Sequence, residues 1–292
     1  MGEDALIEAM LQHVPLAPGI AGPGDDCAVI EGDGDALQLL KTDAMVEGVH
    51  WATETEAKRV GWKAVARVIS DFAAMGGKPK EFLITLAMPK STATDWATGL
   101  YQGIGDCLRQ HGGVITGGET TSSPDGSPIV ISASATGEVK RDQLTLRSGA
   151  KPGDALLVTG QLGGSIRGKH LDFTPRLAQA DWLTSHFKPS AMMDLSDGLA
   201  KDLPRLAKAS DCGFQIKHDT LPCSANCTSD QAIGDGEDYE LLFAIGAEQL
   251  EALLEQWAQQ FPELPLTAIG ELCASGEGDQ LEGGWDHFGQ NA

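Results

Sequence analysis

Positive charge is scarce in this chain. Lysine and arginine number 21 against 42 aspartates and glutamates, for a formal net charge of -21. Nucleic acids and anionic membrane surfaces both attract Lys and Arg, so this balance argues against either as a partner. An anionic substrate would have to be met through metal ions. Long apolar runs are also missing, and no uninterrupted stretch is long enough to span a bilayer. Nor does Met1 to Gly24 show a basic region followed by an apolar run and a cleavage site, so a cytoplasmic location is expected. Paired Cys-x-x-Cys spacing is absent too. The six cysteines (27, 107, 212, 223, 227 and 273) are scattered, and free thiols are the default for such a set in a reducing compartment. Cys223 and Cys227, with His218 nearby, open a zinc pattern that no second pair completes.

The chain does have the length and apolar content for sizeable cores. Its 292 residues suggest two domains of ordinary size, and 41% hydrophobic with 22% charged residues is a globular composition. Its other signature is a set of acidic glycine turns. The first is Gly22-Pro-Gly-Asp25-Asp26-Cys-Ala28, followed closely by Lys41-Thr42-Asp43 and His50. Adjacent acids in a turn repel each other unless something cationic neutralises them, and Mg²⁺ is the commonest hard cation for oxygen clusters of this kind.

Periodicity places these acids on elements. Residues 3 to 12 carry helical spacing before a break at Pro15 to Gly19, and Leu37 to Thr42 reads as a strand with Thr42 and Asp43 at its C-terminal end. Glu56 to Met75 is a helix with Val60, Ala64, Val68 and Phe72 on one stripe and Gly76-Gly77 as its stop. Asp71 interrupts the apolar end of that helix, where an acid opposes the dipole and needs a partner or a metal. Glu81 to Met88 is a strand, Thr94 to His111 a second helix, and Val114 to Thr116 a strand running into Gly117-Gly118-Glu119. Two glycines there let backbone N-H groups approach a phosphate while Glu119 holds its metal. Ile129 to Gly137 is a further strand, so the first half reads as one α/β domain.

A turn-rich junction at Arg147 to Asp154 sets the expected boundary, giving domains at 1–146 and 147–292. Beyond the strand at Ala155 to Thr159, Gly163 to His170 imitates a phosphate loop but has His170 where such a loop needs a hydroxyl. Asp194-Leu-Ser196-Asp197-Gly-Leu199 puts two acids and a hydroxyl at the expected start of a helix carrying Leu199, Leu203 and Leu206, more acid than capping needs. Further strands are expected at Gly213 to His218, Leu241 to Ile245 and Leu266 to Leu272, with a helix at Glu248 to Phe261. Gly234 to Glu240 is a third acidic turn, and Trp285 near the end can stack on a heteroaromatic ring beside an anionic site.

Together these stretches resemble the thiamine-monophosphate kinase family, in the superfamily of aminoimidazole ribonucleotide synthetase and selenophosphate synthetase. The resemblance runs through Gly24 to Ala28, Thr42-Asp43, Val46 to His50, Ser70 to Gly76, Gly117 to Thr121, Arg147 to Asp154, Asp194 to Leu199, Gly236 to Leu241 and Asp286 to Phe288. It implies an α/β (α+β) fold of two mixed domains of the aminoimidazole ribonucleotide synthetase type, with the N-terminal domains pairing in a homodimer. It also implies ATP-dependent phosphorylation of thiamine monophosphate. Carried over by position, Asp26, Thr42, Asp43, Asp71, Glu119, Asp194 and Asp197 are the expected Mg²⁺ ligands, with Asp43, Asp71 and Asp194 at the chemistry. Gly118, Glu119, Arg147 and Ser196 match nucleotide positions, and His50, Glu237 and Trp285 match thiamine-phosphate positions. The chain departs from the pattern at three places. Glu119 replaces the usual Asp, Lys41 replaces a small hydroxyl residue, and Gly160 to Pro175 is short. A superfamily synthetase with another acceptor and an inactive nucleotide-binding regulator are the alternative readings.

Overall fold

The computed structural model describes residues 2–16, 19–32 and 34–288. Part of the expected break at Pro15 to Gly19, residues 17 and 18, lies outside the described residues. In chain order the first half runs α1 (Glu3–Leu11), β1 (Ala28–Glu31), β2 (Ala36–Val46), α2 (Ala57–Ala74), β3 (Lys78–Pro89), α3 (Thr94–His111), β4 (Val114–Ser123) and β5 (Val130–Lys140). The second half runs β6 (Ala155–Thr159), α4 (Lys169–Asp172), α5 (Leu177–His186), β7 (Ala191–Asp194), α6 (Leu199–Ala209), β8 (Cys212–Ile216), α7 (Ser229–Gly234), β9 (Leu241–Ile245), α8 (Leu250–Gln260) and β10 (Leu266–Ala274).

The first five strands form one sheet in the order β1-β2-β5-β3-β4, antiparallel except for the parallel β3–β4 pair at one edge. Alternation along β2 and β5 sends Leu37, Leu39, Met45, Ile131 and Ala133 to one face, where α2 and α3 cover them. The two helices cross closely because Gly61 and Gly103 lie at the contact. A Cβ on either would collide with the carbonyl of Leu100 or Lys58. The opposite face is open, with Leu40, Thr42, Leu83, Ser134 and Thr136 lining a shallow hollow.

The second sheet, ordered β7-β9-β6-β10-β8, is wholly antiparallel. Its central strands β6 and β9 are buried at every position because both faces are covered. The Leu199, Leu203 and Leu206 stripe of α6 packs on one face, while α5, α8 and the Ala73-Ala74 end of α2 pack on the other. Helix α2 therefore serves both cores, and its polar face lies where they meet. No helix among the described residues is long and apolar enough to cross a membrane.

Three expectations change here. Strand β2 continues to Val46, so Thr42 and Asp43 sit inside the strand on opposite faces rather than at its end. Gly117 and Gly118 belong to strand β4 rather than to a turn, because parallel pairing with β3 carries through them. Asp194 closes strand β7, and the helix begins only at Leu199 behind Gly198, so none of Asp194, Ser196 and Asp197 is its cap.

Candidate active site at the domain junction

Three acids from three elements converge at this junction. Asp26 comes from the glycine loop before β1, Asp71 from the last turn of α2 and Asp194 from the end of β7. All three are buried, with one oxygen of each within 4.8 Å of the others. Burial pushes the Asp71 carboxyl up, a rise opposed by Lys41 and reinforced by Asp194, Asp43 and Asp26. Burial and then Asp26 raise Asp194 to about 6, although Ser70 Oγ donates to it at 2.5 Å.

Two cations of the chain enter this group. Lys41 Nζ donates to Asp71 Oδ1 at 2.8 Å, and Arg147 pairs with Asp26 while its backbone N-H donates to Asp25 Oδ1 at 2.8 Å. One oxygen, Asp26 Oδ2, is buried without a hydrogen-bond partner among the described residues. An orphaned carboxylate oxygen among three buried acids fits a hard, oxygen-seeking cation such as Mg²⁺.

The chain runs from Asp194 directly into Ser196 and Asp197, and from Arg67 by one turn of α2 to Asp71. The cluster therefore borders a cavity of about 290 Å³ whose walls include His50, Arg67, Ser196, Asp197, Glu237, Tyr239 and Trp285. Its floor is built by two interlocked turns. Glu237 N-H donates to Ser196 O at 2.7 Å and Tyr239 N-H to Leu195 O at 2.8 Å, so the acidic turn before β9 is tied to the segment after β7. Gly198, with φ of 99°, makes this possible, because a Cβ there would press on the Asp235 carbonyl. Glu237 and Tyr239 also hold positive φ, at 64° and 51°, a conformation non-glycine residues adopt only where surrounding contacts impose it. The tail closes one side, with Trp285 N-H donating to Asp197 O at 2.8 Å and Lys201 Nζ to Trp285 O at 2.8 Å.

His50 stands in this wall as a neutral ring. Its Nδ1 accepts the Val46 N-H at 3.0 Å, leaving the proton on Nε2, and burial followed by the charge of Arg67 lowers its pKa to about 4. Lys63 is wholly buried behind it, donating to His50 O at 2.7 Å and to Glu237 at 2.6 Å.

The structure thus joins Asp26, Asp71 and Asp194 at one place and His50, Ser196, Glu237 and Trp285 at the adjoining cavity. Other expected residues are not members of the acidic group, although Asp43 is near enough to raise Asp71. The Thr42 hydroxyl is 2.9 Å from Ser134 Oγ on the open sheet face. Asp43 is held by Arg67 at 3.0 Å, and Asp197 accepts from Arg205 at 2.6 Å. Gly118 and Glu119 are exposed on β4, the outer strand of the sheet, because β2, β5 and β3 separate that strand from the Asp26 loop. The loop at Gly163 is already filled by acids. Gly163 N-H donates to Asp238 at 2.9 Å and Gly164 N-H to Asp235 at 2.8 Å, which excludes a phosphate there. His218, Cys223 and Cys227 form no metal group among the described residues.

Sequence reasoning passed over Lys63, Arg67 and Ser70. Their spacing held the signal. Lys63, Arg67, Ser70 and Asp71 fall at i, i+4, i+7 and i+8, a polar stripe beside the apolar one on α2, and all four are buried or nearly so.

Comparison with known proteins gives the family and the fold. Residues 24–139 match the family described as AIR synthase related protein, N-terminal domain, and residues 166–280 match its C-terminal domain. The chain is 36% identical over 271 residues to the thiamine-monophosphate kinase of Rhodopirellula baltica, covering 86% of this chain and 83% of that protein. To the Bacillus subtilis thiamine-monophosphate kinase it is 32% identical, covering 85% and 84%. A solved structure described as AaThiL complexed with AMPPCP and TMP superposes with a TM-score of 0.84 at 30% identity, over 98% of this chain and 97% of that one. The thiamine-monophosphate kinase of Stenotrophomonas maltophilia superposes at 0.75 with 31% identity, over 96% of each chain.

Proposed function

The chain belongs to the thiamine-monophosphate kinase family, and we propose that it moves the γ-phosphoryl group of ATP directly, in line, onto the phosphate of thiamine monophosphate to give thiamine diphosphate. The observation that carries this reading is the adjacency of the buried Asp26, Asp71 and Asp194 group, with its unpartnered oxygen, to a cavity walled by His50, Glu237 and Trp285. Mg²⁺ ions held by Asp26, Asp71 and Asp194, with Asp43 close to Asp71, would neutralise charge developing on the transferred group. Thr42, Glu119 and Asp197, expected as ligands from the resemblance, stand apart from this group and are not assigned to it. Arg147 and Ser196 are the proposed nucleotide contacts, whereas Gly118 and Glu119, expected there from the resemblance, lie on the outer strand β4 apart from them.

The chain's own part is to bind and align. A phosphate acceptor is already ionised near neutral pH, so no general base is required of the protein. Trp285, 38% exposed at the cavity edge, offers a face to the thiamine rings. Lys63 fixes the Glu237 carboxylate, and neutral His50 presents an Nε2 proton as a donor.

We also propose a domain boundary at residues 146 and 147, a homodimer and a cytoplasmic location. The homodimer would form through the N-terminal sheet, since Leu40 and Leu83 stand exposed on its open face. Six free cysteines suit a reducing compartment. The net charge of -21 supports small-molecule partners, ATP and thiamine monophosphate, over nucleic acid or membrane. The test is steady-state ADP release with Mg²⁺, with and without thiamine monophosphate. Release that depends on thiamine monophosphate supports the reading. Release at the same rate without it would mean transfer to water and contradict the reading. No release in either case would point to a nucleotide-binding regulator or to a synthetase whose own acceptor is missing.

A further inference from the structure

Three carboxylates buried together repel one another, and a fold that keeps them needs positive charge in the same place. The protein supplies two such charges itself. Arg147 holds Asp26 from the segment between the sheets, and it also donates to Gly24 O at 3.3 Å, so its role is shared with fixing the glycine loop. Lys41 has no other hydrogen-bond partner among the described residues. From the middle of β2 its side chain crosses to α2 and ends on Asp71 Oδ1 at 2.8 Å, with 22% of the side chain exposed. Asp71, Asp26 and Asp194 each bring one oxygen within 4.8 Å of the others, so the ammonium stands against one of the carboxylates that a divalent ion shared by the three would use.

We propose that Lys41 is a built-in cation of the acidic cluster, its ammonium replacing one divalent ion at Asp71, so that the chain binds one divalent ion fewer than it would with a neutral side chain at this position. The proposal rests on reading the cluster as the Mg²⁺ site of a kinase. A tethered ammonium is present whatever the free Mg²⁺ concentration, and its desolvation is met once, on folding, rather than each time an ion binds. It also leaves Asp26 Oδ2, buried with no hydrogen-bond partner among the described residues, open to an external ion.

The test counts ions and does not depend on turnover. Protein stripped with EDTA and loaded with the β,γ-methylene analogue of ATP is titrated with Mn²⁺, and the bound number is read from loss of the free Mn²⁺ electron paramagnetic resonance signal. Lys41→Met is expected to bind one Mn²⁺ more per chain than the parent, whereas Lys41→Arg, which keeps the charge, binds the parent number. Lys41→Met should also melt below the parent in chelator and recover with Mn²⁺. If Lys41→Met does not fold under either condition, Lys41→Gln, whose amide can still donate to Asp71, is counted in its place. Equal counts in the parent and the neutral variant, with ions bound to both, would overturn the role of Lys41 and leave the metal site standing. No Mn²⁺ bound to any of the proteins would overturn both.

Discussion

Lys63 of α2 and Glu237 of the turn before β9 meet at 2.6 Å, joining the two halves of the chain through a lysine that is wholly buried. Burial lowers the Lys63 ammonium to about 8, and Glu237 is the principal influence holding it up. Removing one partner of such a pair leaves the other charge unpaired, whereas removing both is much milder. Lys63→Met is therefore expected to lose about 3 kcal/mol of stability in urea unfolding, and Lys63→Met with Glu237→Gln less than the sum of the single changes. Additive losses would show that the pair is not coupled.

Asp194→Asn should separate stability from activity. The amide keeps an oxygen for the Ser70 hydroxyl but removes a charge from a crowded, buried site. In EDTA the variant should melt above the parent, while its kcat falls by about 10² to 10³ through lost charge stabilisation. A lower melting temperature with activity retained would make Asp194 a structural acid only.

The pH behaviour of His50 follows from its burial. The folded ring titrates at about 4, against an ordinary value of 6.5, so below pH 6.5 the unfolded chain takes up a proton that the native protein does not. His50 therefore subtracts stability increasingly as pH falls from 6.5 toward 4, and nothing above that range. The His50 ring signal in a proton magnetic resonance titration should stay flat through pH 6 to 7 and move near 4. A midpoint near 6.5 would contradict the buried, neutral ring.

Trp285→Ala should weaken thiamine monophosphate binding by about 1 to 3 kcal/mol through lost stacking and burial, leaving nucleotide affinity nearly unchanged. Calorimetric titration with each ligand decides this. Equal weakening of both would mean that the indole only packs the tail in place and makes no contact of its own with the thiamine rings.

Most helices and strands were legible from the sequence because their apolar spacing matches their burial. The helix at Thr94–His111 and the strands Ala155–Thr159 and Leu241–Ile245 match at both ends. Asp26, Asp71 and Asp194 were legible as candidates because acids in glycine turns or at an apolar helix end violate the local rule. Their meeting point was not, since it depends on α2 packing between two sheets. Periodicity also could not show that β2 continues through Asp43 or that β4 continues through Gly118, because strand length there is set by pairing with β5 and β3. Lys41 stood out in the sequence as a departure. Its contact with Asp71 depends on the crossing of β2 and α2, and so appears only in the fold.

Direct phosphoryl transfer is tested most plainly by following the label from γ-labelled ATP with Mg²⁺ and thiamine monophosphate. All transferred label should appear in thiamine diphosphate, at a rate equal to ADP release, with the protein unlabelled throughout. Label on the protein that chases into product would replace the direct mechanism with a covalent one, and label released only as inorganic phosphate would contradict the kinase reading itself.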